Sequence, residues 1–224
     1  MKTTIRVLPS LLAGLLLAAA PLARSHSVWI EDAAGQLVVR FGEPGNEYEK
    51  SPGHLDSLTL PVAWRLGAEN KPEPFVVEKK SDHFLLVGAP LAAGAAGETR
   101  FPVFQRGKRP ASWPQFYVRW HPAGAPAPEA PALTLDILPA GQPGEFRVWL
   151  RGQPLPGAKV GIEHLGTGTG TELTADADGI VRYAADKPGI VLLVCNHKEE
   201  TPGFAGGLRY EVLSHNTALS WRQP

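Results

Sequence analysis

After residue 25 the chain breaks into short apolar runs separated by proline, glycine and charge. Alternating or continuous apolar stretches predict strands over 27–31, 36–41, 62–66, 74–79, 83–87, 115–120, 133–139, 145–150, 159–164, 172–175, 180–184, 189–196, 210–213 and 215–221. No segment holds the apolar period of a three-turn amphipathic helix. Many short strands with turns between them predict an all-β sandwich or barrel. The stretch 49–58 is the exception: Ser51-Pro52 could open a helical turn or two, since proline suits the first helical position.

The first 25 residues have a different pattern. Lys2 and Arg6 precede an uncharged apolar run from Leu11 to Pro21, and Ala23-Arg24-Ser25 places small residues where a signal peptidase reads them. The run is shorter than the roughly 20 residues a spanning helix needs. The expectation is a signal peptide over 1–25, a mature chain of 199 residues beginning at His26, and a periplasmic or secreted location. No later run is long enough to cross a membrane, so the cleaved protein is expected not to span one; Val191–Cys195 reads as a buried strand.

The clearest linker is His121-Pro-Ala-Gly-Ala-Pro-Ala-Pro-Glu-Ala-Pro131. Proline has no amide donor and is excluded from inner strands, so this segment should run extended. It divides the chain into an N-terminal β domain over 26–121, a linker over 122–132 and a C-terminal β-sandwich over 133–224. The turns at Gly152–Val160 and Thr174–Ile180 resemble those of transthyretin-like or carboxypeptidase-regulatory sandwiches. Asp176 and Asp178 read as turn residues, because the glutamate of a calcium loop is missing downstream. Gly166–Thr171 reads as a loop between strands.

Charge narrows the partners. Residues 1–25 hold three of the 22 basic residues and no acids, which leaves 19 basic against 22 acidic residues, about −3. Without a basic excess or a Lys/Arg stripe, nucleic acid is not expected as a partner. The single cysteine, Cys195, permits no intramolecular disulfide and reads as a small buried hydrophobe.

The histidines offer chemistry. A terminal His26 could chelate one metal ion through its α-amine and its ring, a set suited to Cu(II) and, with further ligands, Ni(II). His197 stands where a buried strand meets a polar loop, with Glu199 and Glu200 in reach. His215 shares a strand face with Leu213, Thr217 and Leu219, and a return strand could bring it beside His197. His54, His83, His121 and His164 read as surface residues. No Gly-x-Ser-x-Gly elbow, His-Glu-x-x-His helix or nucleophilic cysteine context is present.

The start His26-Ser-Val-Trp-Ile-Glu31, the internal Tyr48-Glu-Lys-Ser-Pro-Gly53 and the ending His197-Lys-Glu-Glu-Thr-Pro-Gly203 with Ser214-His-Asn-Thr-Ala-Leu219 resemble the NikM-like periplasmic family linked to nickel and cobalt uptake. The resemblance implies a secreted β-sandwich that binds a transition metal and supports its import, with His26, His197 and His215 at the family's recurrent histidines. The leading expectation is therefore an exported accessory protein, not an enzyme, that binds nickel, cobalt or copper through His26, His197 and His215 and serves a membrane metal importer. Glu199 would be an oxygen ligand or would orient an imidazole. Two other readings stay open: a copper oxidoreductase built on an N-terminal histidine brace, and a metal-independent carbohydrate-binding or adhesive module.

Overall fold

Strands dominate the computed structural model, which describes residues 26–66, 71–166 and 170–224. Residues 1–25, expected as a signal peptide, and the centre of the Gly/Thr loop, 167–169, lie outside the described residues. The architecture is all-β and sandwich-like. An outer sheet has the order β1 (Ser27–Ala33), β2 (Gln36–Gly42), β6 (Phe84–Val87), β5 (Val76–Lys79). The central sheet has eight strands: β13 (Gly170–Thr174), β12 (Lys159–His164), β15 (Gly189–Glu199), β18 (Val212–Gln223), β8 (Ser112–Trp120), β7 (Ala95–Arg100), β3 (Val62–Leu66) and β4 (Pro72–Pro74). A third sheet joins β9 (Leu135–Pro139), β10 (Glu145–Leu150), β14 (Ile180–Arg182) and the short β11 (Gln153–Pro154). The hairpin β16 (Gly203–Ala205) and β17 (Leu208–Tyr210) stands between β15 and β18. Among the described residues no helix is long and apolar enough to cross a membrane.

Successive side chains on a strand point to opposite faces, so a strand covered on both sides needs apolar residues throughout. The middle of the central sheet meets that requirement. Phe116, Val118, Trp120, Ile190, Leu192 and Ala218 enter one core with Trp29, Ile30 and Val39 of the outer sheet. Their neighbours Tyr117, Val191, Leu193, Cys195, Leu219 and Trp221 enter a second core with Ile137 and Val148 of the third sheet. Cys195 is buried there, and burial pushes its thiol up to about 12, so it behaves as an inert small hydrophobe.

β18 is one strand where the sequence predicted two, and its parallel pairing with β8 sets Val212 beside Ser112 and Ser220 beside Trp120. The segments 26–121 and 133–224 are thus joined in one sheet, and residues 122–132 connect β8 to β9 at its margin. The sequence also gave no sign of β7, whose Ala-Ala-Gly-Glu-Thr-Arg lacks a β-branched or aromatic run but is held between β3 and β8. Asp176 accepts hydrogen bonds from the amides of Asp178 and Ile180, closing the turn expected there.

Candidate functional site

Three possible ligands converge at the start of the described chain: His26, Glu49 and His54 each offer an atom within 4.8 Å of the others. His26 Nε2 lies 2.6 Å from Glu49 Oε1, and His54 Nδ1 lies 3.2 Å from the same oxygen. Their rings meet edge on, with centroids 6.5 Å apart. The His side chains are 46% and 73% exposed and the Glu49 side chain 21%, which leaves the cluster open to solvent on one side.

Local structure explains the meeting. The β1–β2 hairpin places Ser27 opposite Gly42, and the chain after Gly42 folds back along β2. The Glu49 amide donates to Phe41 O at 2.8 Å, which returns the carboxylate to the mouth of β1. Tyr48 is held between Trp29, at 5.8 Å between centroids, and the Arg40 guanidinium, 4.5 Å over its ring. Arg40 in turn binds Glu31 and Asp82. His54 opens a single 3-10 turn, His54–Ser57, anchored by the fully buried Leu55. Asp56 ties that turn down by accepting from Ser51 Oγ, the Gly53 amide and Lys79. The Lys79 contact is the main reason its carboxyl falls to about 2, helped by the Gly53 and Ser51 hydrogen bonds. Burial alone would raise the Glu49 pKa, but the hydrogen bonds and charges of His26 and His54 outweigh it and hold the carboxyl below its usual range. The group is therefore an anion at neutral pH.

Gly42 is the pivot of the loop. Its φ is +147°, and a Cβ there would sit 2.3 Å from Glu47 O. Gly42→Ala is expected to cost about 1–3 kcal/mol of stability from backbone strain and to pull Glu49 away from His26. Urea unfolding measures the first effect, and the chemical shifts of the two imidazoles report the second.

The ligands expected from sequence divide between two places. His197 and His215 stand directly opposite each other in the β15–β18 register, so the return strand does bring them together. Glu199 joins them, with Oε2 3.3 Å from His215 Nε2. His215 is 2% exposed, stacks on Tyr117 and meets its hydroxyl through Nδ1 at 3.0 Å. Both ring nitrogens of His215 are thus engaged by protein groups. Glu199 takes two hydrogen bonds from Arg151, one of them 2.7 Å long. The Arg151 hydrogen bonds are the chief reason its carboxyl is lowered to about 2; burial opposes and His215 assists. His26 is not part of this group. It packs on Phe41, which meets Phe116, whereas His215 meets Tyr117 on the opposite face of β8.

A folded-state pKa below the unfolded one stabilises the protein above the unfolded value and loses that contribution as pH falls. The Glu199 contribution should therefore be intact above about 4.5 and disappear towards about 2. Arg151→Ala should move the Glu199 titration up toward its ordinary value, read by carboxyl-detected NMR.

Glu49 and His54 are the functional candidates that residue patterns did not reveal. His54 was expected as a surface residue in a polar turn, and it is one. What sequence lacked was the chain reversal at Gly42, which makes that turn face His26. Of the remaining histidines, His83 pairs with Asp82 at 2.7 Å, His164 meets the Tyr183 hydroxyl, and His121 contacts Ala125 O.

Fold and site together define an all-β sandwich protein with an open His–Glu–His cluster at one end of its sheets. Residues 23–199 match the family described as Domain of unknown function (DUF4198), and the chain belongs to that family. No curated protein matches the chain.

Proposed function

We propose that this is an exported transition-metal-binding protein, an accessory in the uptake or handling of nickel, cobalt or copper, and that it binds the ion at His26, Glu49 and His54. The carrying observation is the convergence of two imidazoles and one carboxylate around a single open point. Imidazole suits nickel, cobalt, copper and zinc, and a carboxylate adds charge neutralisation, so the donor set fits a borderline divalent ion. The NikM-like resemblance of the His26 and Tyr48–Gly53 segments supports the same reading, as does a signal-like segment that ends next to His26. A membrane metal importer is the partner this role implies. His215 and Glu199 act in this reading as a polar network beneath the third sheet, with His197 beside them in register, because Tyr117 and Arg151 already take atoms of that pair that a metal would need.

One observation favours a second reading. A carboxylate on the far nitrogen of a metal-bound imidazole is the usual support for such a ligand. Glu49 on His26 Nε2 leaves Nδ1 to chelate together with a free α-amine, the brace of a copper oxidoreductase. Calorimetric titration of residues 26–224 with Ni(II), Co(II) and Cu(II), with and without one extra glycine before His26, separates the two. The three-residue site keeps its affinity when the amine is displaced, and the brace loses it. Absence of binding tighter than roughly micromolar for all three ions would sink both.

A further inference from the structure

The described residues expose seven large hydrophobic side chains, and five of them gather at one end of the sheets: Leu60, Val62, Phe104, Phe204 and Leu208. The other two, Val76 and Val87, face each other across β5 and β6. The end is the one where β8 and β18 both begin, since those strands are parallel and start at Ser112 and Val212. Two projections leave it. One is the loop from Phe104 to Ser112, closed by a pair of backbone hydrogen bonds between those residues. The other is the β16–β17 hairpin, whose Gly206-Gly207 turn carries Phe204 at 75% exposure and Leu208 at 55%. Trp113 packs on Tyr210 in a tilted contact, ring centroids 5.3 Å apart, where the two projections leave the sheet side by side.

Charge on this end runs against the protein's acidic balance. Arg106, Lys108 and Arg109 line the loop, Arg209 sits opposite Phe204, and Lys198 closes the mouth of β15, all exposed. None of the five forms an ion pair among the described residues, while Glu200 and Glu211 are the exposed acids in the same strand ends. The surface therefore pairs exposed apolar tips with an excess of cations. Elsewhere the described Arg and Lys residues are largely matched to carboxylates, as in Arg65–Glu73, Lys79–Asp56 and Arg182–Asp176.

We propose that this end docks on an anionic phospholipid surface. Exposed apolar side chains on separate projections can each enter the soft boundary between headgroups and acyl chains while the neighbouring unpaired cations meet anionic headgroups, so apolar tips and charge excess are matched by one surface. Docked in this way, the protein turns its His26 cluster toward the bilayer. That cluster lies at the same end, joined to the patch through Phe41, Phe101 and Phe104, whose rings follow one another at 6.1 and 6.0 Å. The inference does not depend on the metal reading, and its test contains no metal.

Residues 26–224 hold the whole described fold and omit the apolar leader, which would bind lipid by itself. They are sedimented with vesicles of phosphatidylcholine alone and of phosphatidylcholine mixed with phosphatidylglycerol. Binding is expected only with the mixed vesicles, and it should fall between about 0.1 and about 0.5 M salt as the charges are screened. Arg106→Gln with Lys108→Gln should weaken it about fivefold per charge removed. Phe204→Ser with Leu208→Ser should weaken it about tenfold and leave the salt dependence unchanged. These side chains are exposed, so unchanged circular dichroism and melting are expected for both variants. No sedimentation with the mixed vesicles at low salt, equal binding to both vesicle types, or full binding by both variants would overturn the proposal. Binding to soluble polyglutamate in preference to the vesicles would overturn it in favour of an acidic polypeptide.

Discussion

Replacing Arg119 by methionine is expected to be the most destabilising single change in this protein, at about 3–5 kcal/mol. Arg119 and Asp136 are both sealed from solvent, with Asp136 at 0% exposure. The guanidinium grips the carboxylate through two hydrogen bonds of 2.9 and 2.6 Å. Asp136 also accepts from the amides of Ala132 and Leu133, the residues where the chain leaves the proline-rich connection. Removing the arginine strands a carboxylate in a dry interior, and that desolvation is far more costly than the loss of the pair's net attraction. For a chain of this length the melting temperature should fall on the order of 10 °C. The double variant Arg119→Met with Asp136→Asn should recover part of the loss, since no unpaired charge remains and the amide oxygen still serves the two backbone donors. Urea unfolding followed by tryptophan fluorescence tests the comparison. A single variant as stable as wild type would mean that the pair does not lock the connection to β8.

The second large effect concerns the His–Glu–His cluster. His54→Ala and Glu49→Gln should each weaken binding of Ni(II), Co(II) or Cu(II) by more than about 100-fold, because losing an outer partner alone costs 10–100-fold. His54 is an exposed residue of a turn anchored by Leu55 and Asp56, so its truncation should leave stability within about 0.5 kcal/mol. A drop in affinity can then be read as loss of a ligand. Affinity should also decline as the solution is acidified, since an imidazole must be deprotonated to ligate. The Glu49 carboxylate should not limit that binding at neutral pH, because its pKa is held below the usual range. His197→Ala provides the contrast. Full affinity in that variant supports the cluster at His26, and loss of binding there with none in His54→Ala would transfer the site to the β15–β18 pair.

Much of the fold was legible because strand patterning is local. The spans 62–66, 145–150 and 159–164 were read to the residue, since β-branched and aromatic side chains with turns on either side leave little choice. β7 was not legible, because small residues between two larger strands carry no signal of their own. The joining of the two halves was equally hidden. Nothing in 112–120 or 212–223 says that these strands pair with each other a hundred residues apart, and a proline-rich connection looks the same whether or not the flanking segments share a sheet.

Sequence alone established the all-β class and the reading of Cys195 as a small buried hydrophobe, because both follow from local alternation, while the meeting of His197 and His215 stayed an open possibility until the β15–β18 register set them opposite each other. Tertiary structure decided which histidine works with which carboxylate. His26 and His215 lie on opposite faces of β8, a separation fixed by the alternation of Phe116 and Tyr117 once the outer and third sheets have taken their sides. Glu49 and His54 reach His26 because Gly42 reverses the chain, and that depends on a positive φ and a close carbonyl rather than on any ligand spacing.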